Sequence, residues 1–320
     1  MSKYTIGIDL GGTTMTAGLV NEKFEVVGKV TWATRLPRPA QDLEKALAEL
    51  CRTVARENKV DFADIRYVGI GTPGSVNFTT GFVGFNTNFG YYDWNLGPDM
   101  EKLLGCKVYV ENDANAAAYG ELMAGAAKGL DSVILITLGT GVGGGIIIDG
   151  KIQSGFNYKG AELGHIGMVY QGVPCTCGRR GCIESYCAVT GLIRITRESM
   201  QLNAKSKMWE LAEGSLDKVS GRTAFDAMRA GDEAGKAVVD QYIDYLAYAV
   251  SGIINLFQPQ AVVIGGGISK EGETLFGPMR ERAYPQTFNH DPNNCSQIIK
   301  AKLGNDAGII GAALLGKQYK

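Results

Sequence analysis

One histidine and three cysteines fall within ELGHIGMVYQGVPCTCGRRGCIE, residues 162–184, as His165, Cys175, Cys177 and Cys182 at the spacing H-x9-C-x-C-x4-C. One imidazole and three thiolates complete the closed tetrahedral shell that structural Zn²⁺ prefers. Two cysteines separated by a single residue make a poor disulfide. The stretch therefore reads as a zinc loop. The remaining cysteines, Cys51, Cys106, Cys187 and Cys295, read as small core residues.

A second kind of chemistry is offered by two glycine and threonine turns. DLGGTT, residues 9–14, joins two strand-like segments, and LGTGV recurs after Leu138, 128 residues beyond Leu10. Glycines let the backbone approach a phosphate, amides and threonine hydroxyls donate to its oxygens, and an acid at the strand end can hold Mg²⁺ through water. A plain hairpin turn would use the same residues. The repeat favours the phosphate reading, because two such turns facing each other across a cleft can bracket a polyphosphate.

The second turn also contains G-x-G-x-x-G at Gly139, Gly141 and Gly144. A dinucleotide fold needs a helix N-terminus after those glycines to receive the pyrophosphate. Here Ile146-Ile147-Ile148 runs into Asp149-Gly150, the pattern of a strand closed by a tight turn. NAD is thereby disfavoured, and no G-x-x-x-x-G-K-S/T occurs. Two further constellations are ENDANAAAYGE, residues 111–121, and AVVIGGGIS, residues 261–269. Asp113 reads either as a cap at the start of a helix or as a working carboxylate at the C-terminal end of a strand. The glycines after Ile264 suit either a tight strand-to-helix turn or a nucleoside lying flat on backbone.

The elements that must position these residues emerge from periodicity. The pattern predicts strands at 4–10, 15–20, 24–33, 67–71, 107–110, 133–138, 261–264 and 298–303. Helices are predicted at 39–58, 98–104, 114–127, 183–200, 223–229, 233–257 and 306–317. At 320 residues the chain exceeds the usual size of a single core, so two domains are expected. We divide it into a smaller α/β domain over 1–128, joined by the last helix within 306–320, and a larger one over 129–305. A net charge of −1 without a basic block excludes the footprint of a nucleic-acid binder. No apolar run approaches the roughly 18 to 20 residues that span a bilayer, and MSKYTIGIDL lacks a signal-peptide core, so a cytoplasmic location is expected.

Taken in order, GIDLGGTT, ENDANAAAYGE, AELGHIG, CTCGRRGCIES with its C-x-C-G-x-x-G-C-x-E pattern, VVIGGGIS and LGNDAGIIGAA resemble the ROK family of bacterial sugar kinases. The likeness covers essentially the whole chain and is strongest to the ATP-dependent glucokinases of Gram-positive type. It implies a duplicated ribonuclease H-like α/β fold of the actin, hexokinase and Hsp70 type, with two domains and a central cleft. It also implies ATP, Mg²⁺ and structural Zn²⁺ as cofactors, a hexose as substrate, and conversion of glucose to glucose 6-phosphate. Carried over by motif, it makes Asp113 the general base and Asp9 the acid on the Mg²⁺ side. Gly11, Gly12, Thr13, Thr140 and Gly141 become phosphate contacts, and Gly265, Gly266 and Gly267 the adenosine platform. Gly74, Asn88, Asn112, Glu162, His165 and Glu184 become the sugar shell, with His165 binding zinc through one nitrogen and sugar through the other. NTNFGYYDW departs from the family pattern by carrying Thr87 where proline is common and an added aromatic pair. Kinases for N-acetylmannosamine, N-acetylglucosamine or fructose are the nearest alternatives. A sugar-sensing regulator would need a basic reader helix, which the sequence lacks. Family habit implies a homodimer or higher homo-oligomer.

Overall fold

A computed structural model describes residues 3–86, 89–288, 290–291 and 295–319. The first part contains β1 (Tyr4–Leu10), β2 (Thr14–Val20), β3 (Val26–Ala33), α1 (Ala40–Glu57), β4 (Ile65–Thr72), β5 (Ser75–Asn77), β6 (Phe82–Asn86), β7 (Tyr91–Trp94), α2 (Leu96–Leu104), β8 (Val108–Asn112) and α3 (Asp113–Ala124). Next along the chain are β9 (Val133–Leu138), β10 (Val142–Ile148), β11 (Lys151–Ile152), α4 (Glu184–Cys187), α5 (Val189–Leu202), α6 (Met208–Leu211), α7 (Thr223–Arg229), α8 (Glu233–Phe257), β12 (Ala261–Gly266), α9 (Glu273–Ala283), β13 (Gln297–Lys300) and α10 (Ala307–Gln318). One mixed sheet has the order β3-β2-β1-β4-β8, another β11-β10-β9-β12-β13, and β5-β6-β7 form a small third sheet. By contacts the chain divides into one unit of residues 1–135, 144–161 and 301–320 and another of 136–143 and 162–300.

In the first unit β1, β4 and β8 run parallel, while β2 and β3 return antiparallel. Alternation along the strands sorts the two faces. Ile6, Ile8 and Leu10 of β1, Val68 and Ile70 of β4, and Val108 and Val110 of β8 join Leu43, Leu47, Leu50 and Val54 of α1 in one buried cluster. The intervening positions on the other face are Gly7 and Asp9, Gly69 and Gly71, and Tyr109 and Glu111. Those glycines have a steric cause. A Cβ on Gly7 would lie 1.9 Å from the Ile309 carbonyl oxygen, and one on Gly69 would lie 1.8 Å from that of Ala312. Helix α10 thus rests on the sheet at backbone contact, and Gly311 brings it equally close to α3, where an added Cβ would come within 1.7 Å of the Ala116 oxygen. Gly311→Ala should therefore cost about 3 kcal/mol, at the upper end of overpacking penalties, because backbone has to move. A lowered denaturant midpoint at unchanged slope checks it.

Glu121 locks the same packing. Its fully buried carboxylate accepts the backbone N–H groups of Ala126 (2.7 Å), Lys302 (3.0 Å) and Leu303 (2.7 Å), tying α3 to the segment that leads into α10.

Several expectations change. The helix expected over 183–200 is broken at Ala188, whose backbone is extended (φ −71°, ψ 164°). The break frees the Val189 N–H to donate to the Gly139 oxygen at 2.9 Å. The small sheet and α9 were not expected. Strands of three to five residues carry too little periodicity to read, and α9 holds Pro278 in its interior. Cys51 and Cys187 are buried as expected of core residues, but Cys106 and Cys295 are only half-buried. Among the described residues no helix is long and apolar enough to cross a membrane.

Candidate active site

The C-terminal ends of β1, β4 and β8 lie side by side, with Asp9 paired to Gly71 and Thr72 to Asn112. Parallel α/β sheets bind ligands outside such ends. Asp9 is the last outward position of β1 on the α3 and α10 face, and a Cβ on Gly308 would meet its carboxyl carbon at 3.4 Å. Burial first, and then the neighbouring Asp113 carboxylate, pushes the Asp9 pKa up to about 6. The adjoining turn, Gly11 to Thr14, is closed by the Gly11 N–H donating to Thr14 O at 2.9 Å. Buried Thr34 braces it from below, its hydroxyl donating to Gly11 O (2.7 Å) and its N–H to Thr13 O (2.8 Å). Gly12 and Thr13 stay accessible above.

Asn112 caps α3, its side-chain oxygen accepting from the N–H groups of Ala114 (2.9 Å) and Asn115 (3.2 Å). Asp113 is therefore not the N-cap. It is the first helical residue, and its carboxylate accepts the Ala114 N–H at 2.9 Å. Burial raises its pKa against the opposing pull of that amide. The Asn112 amide also donates to Gly74 O at 3.3 Å. Gly74 is required at its place: φ is +110°, and a Cβ would sit 2.2 Å from the Phe85 oxygen. Asp9, Gly71, Gly74, Asn112 and Asp113 are thus gathered at one end of one sheet. Asn88 lies outside the described residues.

In the second unit, the tip of the β9–β10 hairpin is closed by the Gly139 N–H on Gly141 O at 3.0 Å. Strand β10 starts directly after Gly141, so no helix N-terminus is available there for a dinucleotide. The start of α5 docks on the tip through the Val189 N–H and through the Thr190 hydroxyl, which donates to Thr140 O at 3.2 Å. Gly266, at φ +86°, abuts the end of β9, where a Cβ would lie 2.2 Å from Leu138 O. Gly265 is buried, whereas Gly266 and Gly267 present open backbone beside the hairpin.

Glu162, the Leu163–His165 turn and Glu184 surround the same hairpin. A Cβ on Gly164 would meet Val142 O at 2.3 Å, and Glu184 accepts the Val142 N–H at 3.0 Å and the Thr176 hydroxyl at 3.0 Å. His165 N–H donates to Glu162 O at 3.0 Å.

One ligand atom from each of His165, Cys175, Cys177 and Cys182 lies within 4.8 Å of every other. Cys177 Sγ and Cys182 Sγ are 3.8 Å apart, and Cys175 Sγ is 3.7 Å from His165 Nδ1. A tetrahedron with metal–sulfur bonds of about 2.3 Å has edges of about 3.8 Å, so the donor set fits Zn²⁺ in both identity and spacing. The turn is made locally: the Cys175 N–H donates to Arg179 O (2.8 Å), the Gly178 N–H to Cys175 O (3.0 Å), and Gly178 takes φ +87°.

The chain matches the ROK family over residues 5–319. The chain belongs to the ROK family. A glucokinase of Thermotoga maritima is 40% identical over 98% of this ROK chain and 97% of its own. An N-acetyl-D-glucosamine kinase of Vibrio atlanticus is 30% identical over 97% of the ROK chain and 98% of its own. Among solved structures, a ROK family glucokinase from Streptomyces griseus in complex with glucose and AMPPNP superposes with a TM-score of 0.82 at 35% identity, covering 98% of this chain and 99% of that one. A ROK hexokinase from Thermus thermophilus gives 0.80 at 30% identity over 97% of each chain. The fold is the mixed α/β fold of these ROK kinases, of actin and hexokinase type.

Sequence reading missed the braces of this ROK site. Thr34 lies 20 residues beyond the turn it supports, in a loop after β3, and nothing in its surroundings marks it. Val142 reaches Glu184 through its backbone amide, which no side-chain pattern marks.

Proposed function

We propose that this chain transfers the γ-phosphoryl group of ATP to the 6-hydroxyl of glucose. The observation that carries the reading is the pair of carboxylates, Asp9 and Asp113, at the ends of parallel strands beside an open glycine and threonine turn. The likeness to a glucokinase bound to glucose and AMPPNP supports the choice of substrates.

In this reading Asp113 accepts the hydroxyl proton as the oxygen attacks phosphorus. A carboxyl raised by burial is a better base than an ordinary one, because its pKa lies closer to the working pH. Asn112 and Gly74 hold sugar hydroxyls beside it, and Glu162, His165 and Glu184 are read as further sugar contacts. The amides of Gly12 and Gly141 and the hydroxyls of Thr13 and Thr140 hold phosphoryl oxygens, while Gly11, whose own N–H closes the turn, lets them approach. Gly266 and Gly267 offer open backbone to the adenosine, with Gly265 buried behind them. Asp9 would hold Mg²⁺, which would neutralise charge on the phosphoryl oxygens. His165, Cys175, Cys177 and Cys182 would hold Zn²⁺, which would fix the loop leading to Glu184 and, with four protein donors around it, would supply no reacting ligand. The cytoplasm suits both ATP and reduced thiols.

A second reading, kinase for an N-acetylhexosamine, is favoured by the relative that phosphorylates N-acetyl-D-glucosamine. A coupled ADP assay over glucose, mannose, fructose, N-acetylglucosamine and N-acetylmannosamine separates them. Glucose should give kcat/KM at least about tenfold above each of the others, the scale of one or two hydrogen-bonded contacts. A higher value for either N-acetyl sugar would overturn the glucose reading.

A further inference from the structure

Glu111 is a fully buried carboxylate for which the proposed chemistry has no use, and it sits immediately before Asn112 and Asp113. It is held by three donors from two separate parts of the chain. Its Oε1 accepts the Asn112 backbone N–H at 2.7 Å and the Asn115 side-chain amide at 3.1 Å, and its Oε2 accepts the Tyr319 hydroxyl. The Asn115 amide also reaches the buried Ser154 hydroxyl at 3.4 Å. Burial raises the Glu111 pKa, and the Tyr319 hydroxyl opposes that shift more than any other donor.

Tyr319 comes directly after α10 and is itself fixed. Its ring stacks on Phe78 at 4.3 Å between centroids and 8° between planes, and Phe78 meets Tyr158 edge-on at 5.5 Å. Phe78 stands in the turn after β5, a few residues from Gly74. The Asn112 peptide that donates to Glu111 is the same one whose side chain caps α3 and reaches Gly74 O. A buried carboxylate with that many donors holds its shape only while all of them remain.

We infer that Glu111 and Tyr319 are positioning residues for Asp113, holding the Asn112 peptide so that the carboxylate at the head of α3 meets the sugar hydroxyl. The tyrosine ring supplies anchorage and its hydroxyl supplies aim. This inference rests on Asp113 being the base. Glu111 opens the ENDANAAAYGE stretch but has no role of its own there, and Tyr319 lies outside every motif, so their pairing is not visible in the sequence.

The experiment uses the full chain, with the rate of phosphoryl transfer from ATP to glucose measured in a single turnover. Tyr319→Phe keeps the stack on Phe78 and removes only the hydroxyl. It should slow transfer about tenfold, within what a sub-ångström misplacement of a reacting group costs, while glucose KM stays within about twofold. Glu111→Gln should slow transfer to a similar extent, and the double variant should be no slower than about twofold below either single one, because both act through one peptide. Asp113→Asn is run in parallel. If it loses turnover while Tyr319→Phe transfers at the wild-type rate, the positioning role is wrong and the base stands. If Asp113→Asn itself turns over normally, the base reading fails and takes this inference with it. A Tyr319→Phe protein that melts earlier yet transfers at the wild-type rate, assayed well below its melting temperature, assigns the hydroxyl to stability alone and also overturns the proposal.

Discussion

Asp113→Asn should bind glucose within about threefold of wild type and lose roughly 10²- to 10⁴-fold in turnover, the usual cost of removing a general base. The amide keeps the size of the carboxylate and can still accept the Ala114 N–H, so the head of α3 should survive. What it cannot do is take a proton. An interaction that matters only as the proton moves lowers kcat and leaves ground-state binding in place. The capping role is already filled by Asn112, so loss of folding in this variant is not expected. Equilibrium glucose binding by calorimetry, together with single-turnover rates, gives both quantities. Normal turnover would remove Asp113 from the chemistry. A larger turnover loss in Glu162→Gln with intact binding would give the role to that carboxylate instead.

Cys177→Ser should abolish Zn²⁺ binding and raise glucose KM by about tenfold or more, the scale on which changes around a metal shell act. Cys177 is exposed, so the exchange of sulfur for oxygen leaves the core of the unit undisturbed. Without the metal, the loop from Cys175 to Cys182 keeps its turn and the bonds of Arg179 and Gly181 to the 165–173 segment, but nothing then ties Cys175 and Cys177 to His165 and Cys182. Glu184 lies two residues past that loop and is tied to it through the Thr176 hydroxyl, and its other oxygen holds the Val142 amide at the start of β10. Loosening the loop should therefore weaken sugar binding before it lowers stability. Elemental analysis should find about one zinc per wild-type chain, since four protein donors complete one shell. A wild-type preparation that is active and free of zinc, or a Cys177→Ser protein with full metal content and unchanged KM, would contradict the assignment.

Much of this was legible because the chemistry is local in sequence. The four candidate zinc ligands lie within eighteen residues of sequence, and their spacing picked out the same set that the fold brings together. Asp9 with its glycine turn, and Asn112 with Asp113, were legible because a strand ends there and a helix or hairpin begins. The long helix Glu233–Phe257 and the first two strands also matched their predicted bounds closely, since their apolar periods are strong. What was hidden depends on distant contact. Ala188 breaks the helix expected over 183–200 because the backbone of the hairpin tip, about fifty residues earlier, takes up the freed N–H. Thr34 bonds back to Gly11 and Tyr319 to Glu111, each far along the chain, and a helix-period or strand-period pattern holds no record of such pairing. The glycines on β1 and β4 were visible as residues, but only the position of α10 explains them.

Glucose labelled with ¹³C and incubated with ATP, Mg²⁺ and purified wild-type protein, monitored by ¹³C and ³¹P NMR, tests the central claim most directly. The account predicts that ADP and glucose 6-phosphate appear together in equal amounts, with the phosphoryl group on the 6-oxygen only. ADP released without sugar phosphate, or a phosphoryl group on another hydroxyl, would contradict it.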